Sequence, residues 1–143
     1  MLRSIAAWAA GRADVVALAL VGSWARDAAG EDSDVDLVVL AEALQPLVED
    51  DAWLALAIGR SAEVGPTREW GVLVERRGVL PSGLEVDLGI VPPTWARTEP
   101  VDAGTARVVS DGCRALYDPD DVIARLLRTV RWSKKGIGTI EEG

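Results

Sequence analysis

The sequence has no histidine and no phenylalanine, and it has one cysteine among its 143 residues. Without histidine, imidazole general bases and most zinc sites are excluded. Any catalysis must therefore use carboxylates, hydroxyls, arginine or a bound metal. Cys113 cannot form an internal disulfide, which predicts a reducing, cytoplasmic setting. With no histidine to activate it, this thiol is expected to be a small core residue.

No apolar run is long enough to cross a membrane. The run over residues 15–25 falls short of the roughly 20 residues that a spanning helix needs. Arg12 and Asp14 interrupt the apolar N-terminal region, so no signal-peptide core forms. These features predict a soluble protein without membrane attachment.

Basic residues are also scarce, since 15 Lys and Arg stand against 23 Asp and Glu, for a net charge of −8. An acidic chain is poorly suited to gripping nucleic-acid phosphates, so nucleic acid is not an expected partner. An apolar content of 49% indicates a folded protein. The length predicts one domain over residues 1–132, followed by a flexible C-terminal tail at 133–143.

Hydrophobic periodicity predicts an α/β (α+β) fold, with a short mixed β-sheet flanked by helices. A continuous apolar run predicts a buried strand at 15–21, and residues 107–109 suggest a short edge strand. The predicted strands are 15–21, 35–40, 70–79, 84–91 and 107–109. The predicted helices are 2–11, one or two turns over 23–29 with Ser23 as N-cap, 42–58 with a break near Pro46, and a last helix with Asp118 as cap and Pro119 in its first turn.

Gly22 and Ser23 end the first buried strand. A turn of small residues after a strand lets backbone amides approach a phosphate closely. The next strand begins after ten more residues, with Asp34, Val35 and Asp36. Residues at i and i+2 of a strand share one face, so both acids oppose the core-facing Val35. Two carboxylates this close repel each other unless a cation lies between them, and Mg²⁺ prefers such oxygen ligands.

A third acid stands on another predicted strand. Glu85 and Asp87 alternate with Val86 and Leu88, so both acids lie on one face. If this strand is next to the one at 35–40, Asp87 completes a metal site. The other interpretation, for these acids and for Asp34 and Asp36, is an ordinary solvated acidic surface.

The Gly22-Ser23 turn, the Asp34-Val35-Asp36 motif and the strand around Asp87 together resemble the nucleotidyltransferase superfamily typified by DNA polymerase beta. The chain looks most like its minimal, single-domain members. The similarity also includes the segments Val21–Arg26, Ser33–Leu40 and Leu116–Pro119.

The resemblance implies a nucleotidyltransferase fold and a metal-dependent enzyme. It implies that Gly22 and Ser23 hold triphosphate oxygens and that Asp34, Asp36 and Asp87 bind Mg²⁺ or Mn²⁺. The donor is expected to be ATP, whose nucleoside monophosphate moves to an acceptor hydroxyl. Arg26 is expected to contact phosphate or to form a surface ion pair with Asp27, which replaces a glycine common in relatives.

Three hypotheses about the function remain open at this stage, and two of them name an acceptor. Minimal relatives act as antitoxins that modify a helical HEPN-type toxin, which would make the acceptor a partner protein. An acidic site also suits a cationic small molecule of the aminoglycoside type. The third hypothesis is a catalytically inactive nucleotide-binding module. A homodimer that shares the site is a further expectation for so short a chain.

Tryptophan is the main bulky aromatic residue, with six copies. Trp24, Trp70 and Trp95 are candidates for stacking on a base, although core or rim packing is the commoner role of such residues.

Overall fold

The computed structural model describes residues 1–26 and 34–131, which form a mixed α/β fold with helices on both faces of one β-sheet. The helices are α1 (Leu2–Ala10), α2 (Gln45–Glu49), α3 (Ala52–Ile58), α4 (Ala103–Asp111) and α5 (122–131), and 3-10 turns cover Gly22–Trp24 and Pro93–Ala96. The strands are β1 (Val15–Val21), β2 (Val35–Ala41), β3 (Glu63–Val64), β4 (Arg68–Trp70), β5 (Leu73–Val79), β6 (Glu85–Val91) and β7 (Cys113–Tyr117).

The sheet is mixed, as the sequence predicts. Its strand order is β3-β5-β6-β2-β1-β7, and β4 pairs with the same edge of β5 as β3 does. The pairing of β2 with β6 is parallel, whereas β1 pairs with β2 and β7, and β5 with β6, in antiparallel fashion. The two strands that carry acids, β2 and β6, are therefore direct neighbours in the middle of the sheet.

Two apolar clusters cover the two faces of this sheet. On one face, Val35 and Leu37 of β2 belong to a cluster with residues of α1, α2 and α3. On the other, Val38 and Leu40 pack with α4, α5 and the 3-10 turn Pro93–Ala96. Burial on both faces explains why β1 and β2 read as continuous apolar runs.

The predicted edge strand at Arg107, Val108 and Val109 is wrong, because these residues lie inside α4. The Asp102 side chain caps this helix by accepting a hydrogen bond from the Thr105 amide at 3.1 Å. The strand beside β1 is β7 instead, in a segment without a strong apolar alternation. A short pair of valines is ambiguous, and here a good N-cap and tertiary packing decide for the helix.

Two predicted helix boundaries also differ from the structure. Pro46 lies in the first turn of α2, where its missing N–H costs nothing. The interruption comes later, at Asp50, whose backbone is extended and whose side chain accepts from the Ala52 amide. Ser23 is not an N-cap, because the 3-10 turn begins at Gly22 and is preceded by Val21.

Asp118 caps the last helix, as predicted, but it stands further before the helix along the sequence than expected. The Asp118 carboxylate accepts from the amides of Ile123 and Ala124 at 3.1 and 2.9 Å. Pro119 therefore belongs to the turn before α5 and not to its first turn.

Some predictions fall outside the described residues: the helical turns at 27–29, Asp27 and the tail at 133–143. Within the part of the chain that the structure describes, no helix is long and apolar enough to cross a membrane.

Candidate active site

The parallel pairing of β2 and β6 places Asp36 directly beside Asp87. Paired residues of neighbouring strands project to the same face, so both carboxyl groups stand on the face opposite Val35 and Val86. Those two valines are fully buried, whereas both acids are partly exposed. Asp34 precedes β2 and is exposed at the end of the same row. The structure therefore brings the three predicted acids together.

Gly22 lies against this acid pair. Val21 pairs with Asp36 across β1 and β2, so the next residue begins its turn beside the carboxyl group. A Cβ atom on Gly22 would lie 3.0 Å from Asp36 Oδ2, and its φ of +76° is unfavourable for other residues. The close approach explains why a glycine stands here and places the Gly22-Ser23 backbone next to the acids.

Arg26 contacts the end of α4 in the structure. Its Nη1 donates to the Asp111 carbonyl at 2.9 Å, at the end of α4, and the residue is exposed. The Gly22 amide also donates to the Gly112 carbonyl at 3.2 Å. The Gly22-Ser23 turn is thus fastened to the segment that joins α4 to β7.

Sequence reasoning assigned the metal to Asp34, Asp36 and Asp87, but the carboxylates that converge in the structure include Glu85. Among the described residues, oxygens of Asp34, Glu85 and Asp87 lie within 4.8 Å of one another. Asp36 borders this set, because it is the register partner of Asp87 across β2 and β6. The signal was present in the sequence, since Glu85 shares a face with Asp87.

Asp36 holds its proton more tightly than an ordinary aspartate. Burial and the nearby charges of Asp87, Asp34 and Glu75 raise its pKa from 3.8 to about 6. Burial also raises the pKa of Asp87, although the hydrogen bond from Arg77 counteracts part of this effect. Burial is thus the main reason why the ionised forms of Asp36 and Asp87 are disfavoured, and neighbouring acids add to it.

Arg77 is the site residue that sequence reasoning missed. It pairs with Asp87 across β5 and β6, and its Nε donates to Asp87 Oδ1 at 2.6 Å. Its Nη2 reaches Glu75 at 3.2 Å, and its Nη1 lies 3.5 Å from Glu85. The hydrogen bond to Asp87 raises the pKa of Arg77, so the guanidinium stays charged. The alternation of Glu75 and Arg77 on a strand was a signal for this placement.

A cavity of about 290 Å³ lies elsewhere, behind the Gly22-Ser23 turn, and Cys113 lines it. Burial raises the pKa of this thiol to about 11. The thiol is therefore protonated at neutral pH, which agrees with its predicted structural role.

A second cavity opens beside the acids and has a volume of about 230 Å³. Its polar wall carries Asp36, Glu75 and Asp87 together with Arg77, and its apolar wall includes Trp95 and Val108. An organic molecule that rests on the apolar wall can present a polar group to the carboxylates.

The candidate stacking tryptophans occupy three different environments. Trp24 packs against the core, and Trp95 lines the cavity beside the acids. Trp70 has 62% of its surface exposed, and its Nε1 donates to Glu75 Oε2 at 3.0 Å. Trp8 and Trp53 stack at 4.9 Å within the core.

Because the pKa of Asp36 is raised, its ionised form lowers the free energy of unfolding at neutral pH, and asparagine removes this cost. Between pH 3.8 and about 6, Asp36 is mostly protonated in the folded protein and mostly ionised in the unfolded chain. The free energy of unfolding therefore falls as pH rises through this window. We expect Asp36→Asn to stabilise the metal-free protein at pH 7 by about 1–2 kcal/mol, or a few degrees in Tm. The variant should also gain less than wild type from added Mg²⁺-ATP.

Thermal melts in EDTA at pH 4 and pH 7 measure this effect, and Asp120→Asn on the exposed turn before α5 is the matched control. A variant that melts below wild type at pH 7, and gains as much from Mg²⁺-ATP, would show that Asp36 has a structural role.

Comparison with known proteins adds independent information. A family model described as "Nucleotidyltransferase domain" matches residues 2–76, just over half of the chain. The match contains Gly22, Ser23, Asp34 and Asp36 and ends before Asp87. No curated protein matches the sequence.

The fold is similar to the crystal structure of an aminoglycoside 6-adenyltransferase from Bacillus subtilis, with a TM-score of 0.50 and 15% identity. The similarity covers 69% of this chain and 36% of that enzyme. At 15% identity, this similarity shows a shared fold and nothing more. This chain spans about a third of the length of that enzyme.

Proposed function

The chain belongs to the nucleotidyltransferase domain family, and from this premise we propose that it moves a nucleoside monophosphate from ATP to an acceptor hydroxyl. The observation that carries the proposal is the pairing of Asp36 with Asp87 on adjacent parallel strands, beside the turn at Gly22. Phosphoryl and nucleotidyl transfer need positioned phosphates and compensation of negative charge more than they need a protein nucleophile. A site without histidine can meet these needs.

The acids fit a divalent cation of the Mg²⁺ or Mn²⁺ type. Their donors are hard carboxylate oxygens, three of which lie within 4.8 Å of one another. Burial, and then the charges of Asp87, Asp34 and Glu75, raise the pKa of Asp36, and a bound cation would offset both effects. Asp34, Asp36 and Asp87 would hold the metal, with Glu85 as a further oxygen ligand. When bound, such ions neutralise phosphate charge and lower the pKa of a coordinated hydroxyl.

The residues of the Gly22-Ser23 turn would bind the triphosphate. The absence of a Cβ atom lets Gly22 stand against Asp36, and its amide is held by the Gly112 carbonyl. Ser23 would therefore supply the turn's amide and hydroxyl to the phosphate. Arg26 is exposed, and a rotation away from the Asp111 carbonyl would bring its charge to a phosphate.

For the acceptor we favour a cationic small molecule that carries a hydroxyl. Three acids, Asp36, Glu75 and Asp87, outnumber the single Arg77 on the polar wall of the 230 Å³ cavity, and Trp95 forms part of the apolar wall. A small polyhydroxylated amine suits both walls. The structurally similar enzyme is named as an aminoglycoside 6-adenyltransferase, which is an acceptor of this chemical class.

A second candidate acceptor is a hydroxyl of a partner protein, as in the HEPN-type toxin hypothesis. The observation that favours it is the exposed apolar tip of the β4–β5 hairpin. Trp70 and Val72 are 62% and 66% exposed there, and Trp70 contacts Glu75 at the edge of the site.

We expect ATP binding to depend on a divalent cation. Because carboxylates and phosphates repel each other without one, chelation should weaken ATP binding by about tenfold or more. Isothermal titration calorimetry in Mg²⁺, and again in EDTA, measures the difference, and restoring excess Mg²⁺ is the control. Equal affinity in both conditions would contradict the proposed metal site.

Transfer assays with α-labelled ATP then separate the two acceptors. Label on an aminoglycoside, resolved by thin-layer chromatography, supports the small molecule. Label on a co-expressed helical partner, resolved by electrophoresis, supports the protein acceptor. Metal-dependent ATP binding with label on neither would identify a nucleotide-binding module.

A further inference from the structure

Arg77 lies among the same carboxylates that the divalent cation would use. Its Nε contacts Asp87 at 2.6 Å, its Nη1 faces Glu85 at 3.5 Å, and its Nη2 reaches Glu75 at 3.2 Å. Every nitrogen of the guanidinium is therefore directed at an acid. Two of these acids, Glu85 and Asp87, belong to the converging set whose oxygens lie within 4.8 Å of one another.

The sheet holds the base of this side chain in place. Arg77 stands directly opposite Asp87 in the antiparallel register of β5 and β6. Its carbonyl accepts a hydrogen bond from the Gly65 amide at 2.8 Å. The side chain remains 30% exposed. A fixed backbone with a partly exposed guanidinium allows the charged group to move while the residue stays in register.

We propose that Arg77 is a resident cation that competes with the divalent metal for Asp87 and Glu85. Both oxygens of Asp87 accept from Arg77, Oδ1 from Nε at 2.6 Å and Oδ2 from Nη2 at 3.4 Å, and a guanidinium next to a divalent ion repels it. Movement of the guanidinium away from Asp87 therefore favours the binding of a metal there. This inference rests on the proposed function only in taking Asp87 and Glu85 as metal ligands.

Glu75 is an alternative partner for the displaced guanidinium. Its side chain is 17% exposed, and Oε1 already accepts from Arg77. Its other oxygen accepts from the indole of Trp70 at 3.0 Å, a residue of β4, which pairs with β5. Arg77 can thus exchange Asp87 for Glu75 without losing a charged partner. It is a positioning residue that balances the acids while no metal is bound.

The test is the affinity of the nucleotide-free protein for Mn²⁺, measured by electron paramagnetic resonance of the free ion. Arg77→Gln and Arg77→Met both remove the positive charge, and the second keeps the apolar stem. We expect both variants to bind Mn²⁺ about tenfold more tightly than wild type, because a unit charge within about 4 Å of the metal ligands is removed. Arg77→Lys keeps the charge and should stay within about threefold of wild type.

Arg128→Gln, on the exposed face of α5, controls for a general change in net charge. Mn²⁺ affinity that is unchanged or weaker in both charge-removing variants overturns the proposal, as does a failure of every protein in the series to bind Mn²⁺. Both variants can bind Mn²⁺ more tightly while the protein transfers no nucleotide to any acceptor. This result would refute the proposed function and support the competition between Arg77 and the metal.

Discussion

Asp87→Asn is expected to reduce nucleotidyl transfer by about a thousandfold or more, which corresponds to about 4 kcal/mol of lost transition-state stabilisation. Asp87 occupies the central position among the acids. It pairs with Asp36 on β2, accepts from Arg77 on β5, and shares the converging set with Asp34 and Glu85. Asparagine keeps the shape of the side chain but supplies one oxygen and no charge.

ATP binding should change far less in this variant. Asp34 and Asp36 still stand beside the Gly22-Ser23 turn and can hold the metal that accompanies the triphosphate. The lost charge acts mainly on the acceptor side, where the hydroxyl must be deprotonated. We therefore expect the Kd for ATP to stay within about threefold of wild type, because a neutral oxygen ligand remains at position 87.

Single-turnover transfer of labelled nucleotide, beside calorimetric ATP titrations, separates the two steps. Asp120→Asn removes the same charge at an exposed position and should transfer at the wild-type rate. If Asp87→Asn also transfers at that rate, the metal uses Glu85 in its place, and Glu85→Gln should then show the loss. Full activity in both variants would refute this site.

Arg76→Met is expected to lower the free energy of unfolding by about 3–5 kcal/mol. Arg76 is 1% exposed. Its Nη1 donates to the carbonyls of Leu47, Val48 and Asp50 at 2.9, 2.7 and 3.3 Å, and its Nη2 pairs with Asp51. These carbonyls lie at the end of α2, where helix geometry offers them no internal donor.

Methionine fills the volume but donates nothing, so the carbonyls of Val48 and Asp50 lose the donor Arg76, whereas Leu47 keeps the Trp53 indole at 2.9 Å. Urea unfolding of wild type and variant measures the change in the free energy of unfolding. Arg128→Met, from the exposed face of α5, should lie within about 0.5 kcal/mol of wild type. If Arg76→Met does not fold, Arg76→Lys should fold with an intermediate loss. A loss below about 1 kcal/mol in Arg76→Met would show that the guanidinium contributes little net stability.

The buried strands and the first two acids were predictable from sequence. The runs at 15–21 and 35–40 are apolar on both faces because helices cover the sheet on both sides, and they gave β1 and β2 almost to the residue. The period of two along a strand then placed Asp36 opposite Val35 and Leu37. A glycine after β1 and acids at the start of β2 are local features, so they could be read without knowledge of the rest of the chain.

The strands and helices that lie next to each strand could not be predicted from such local features. Arg76 and Arg77 are adjacent and chemically identical, yet one is buried under α2 and the other enters the acid group. Their faces follow from the pleat, but what covers each face depends on helices and strands far away in sequence. The short edge strand predicted at 107–109 was wrong for the same reason, because packing and an N-cap make this segment helical, and the edge strand of the sheet here is β7. Sequence alone determined which residues could be buried strand and which acids share a face. Only the tertiary structure decided that Asp36 meets Asp87 and that Arg77 lies between the acids, since strand register and cross-sheet contacts are long-range.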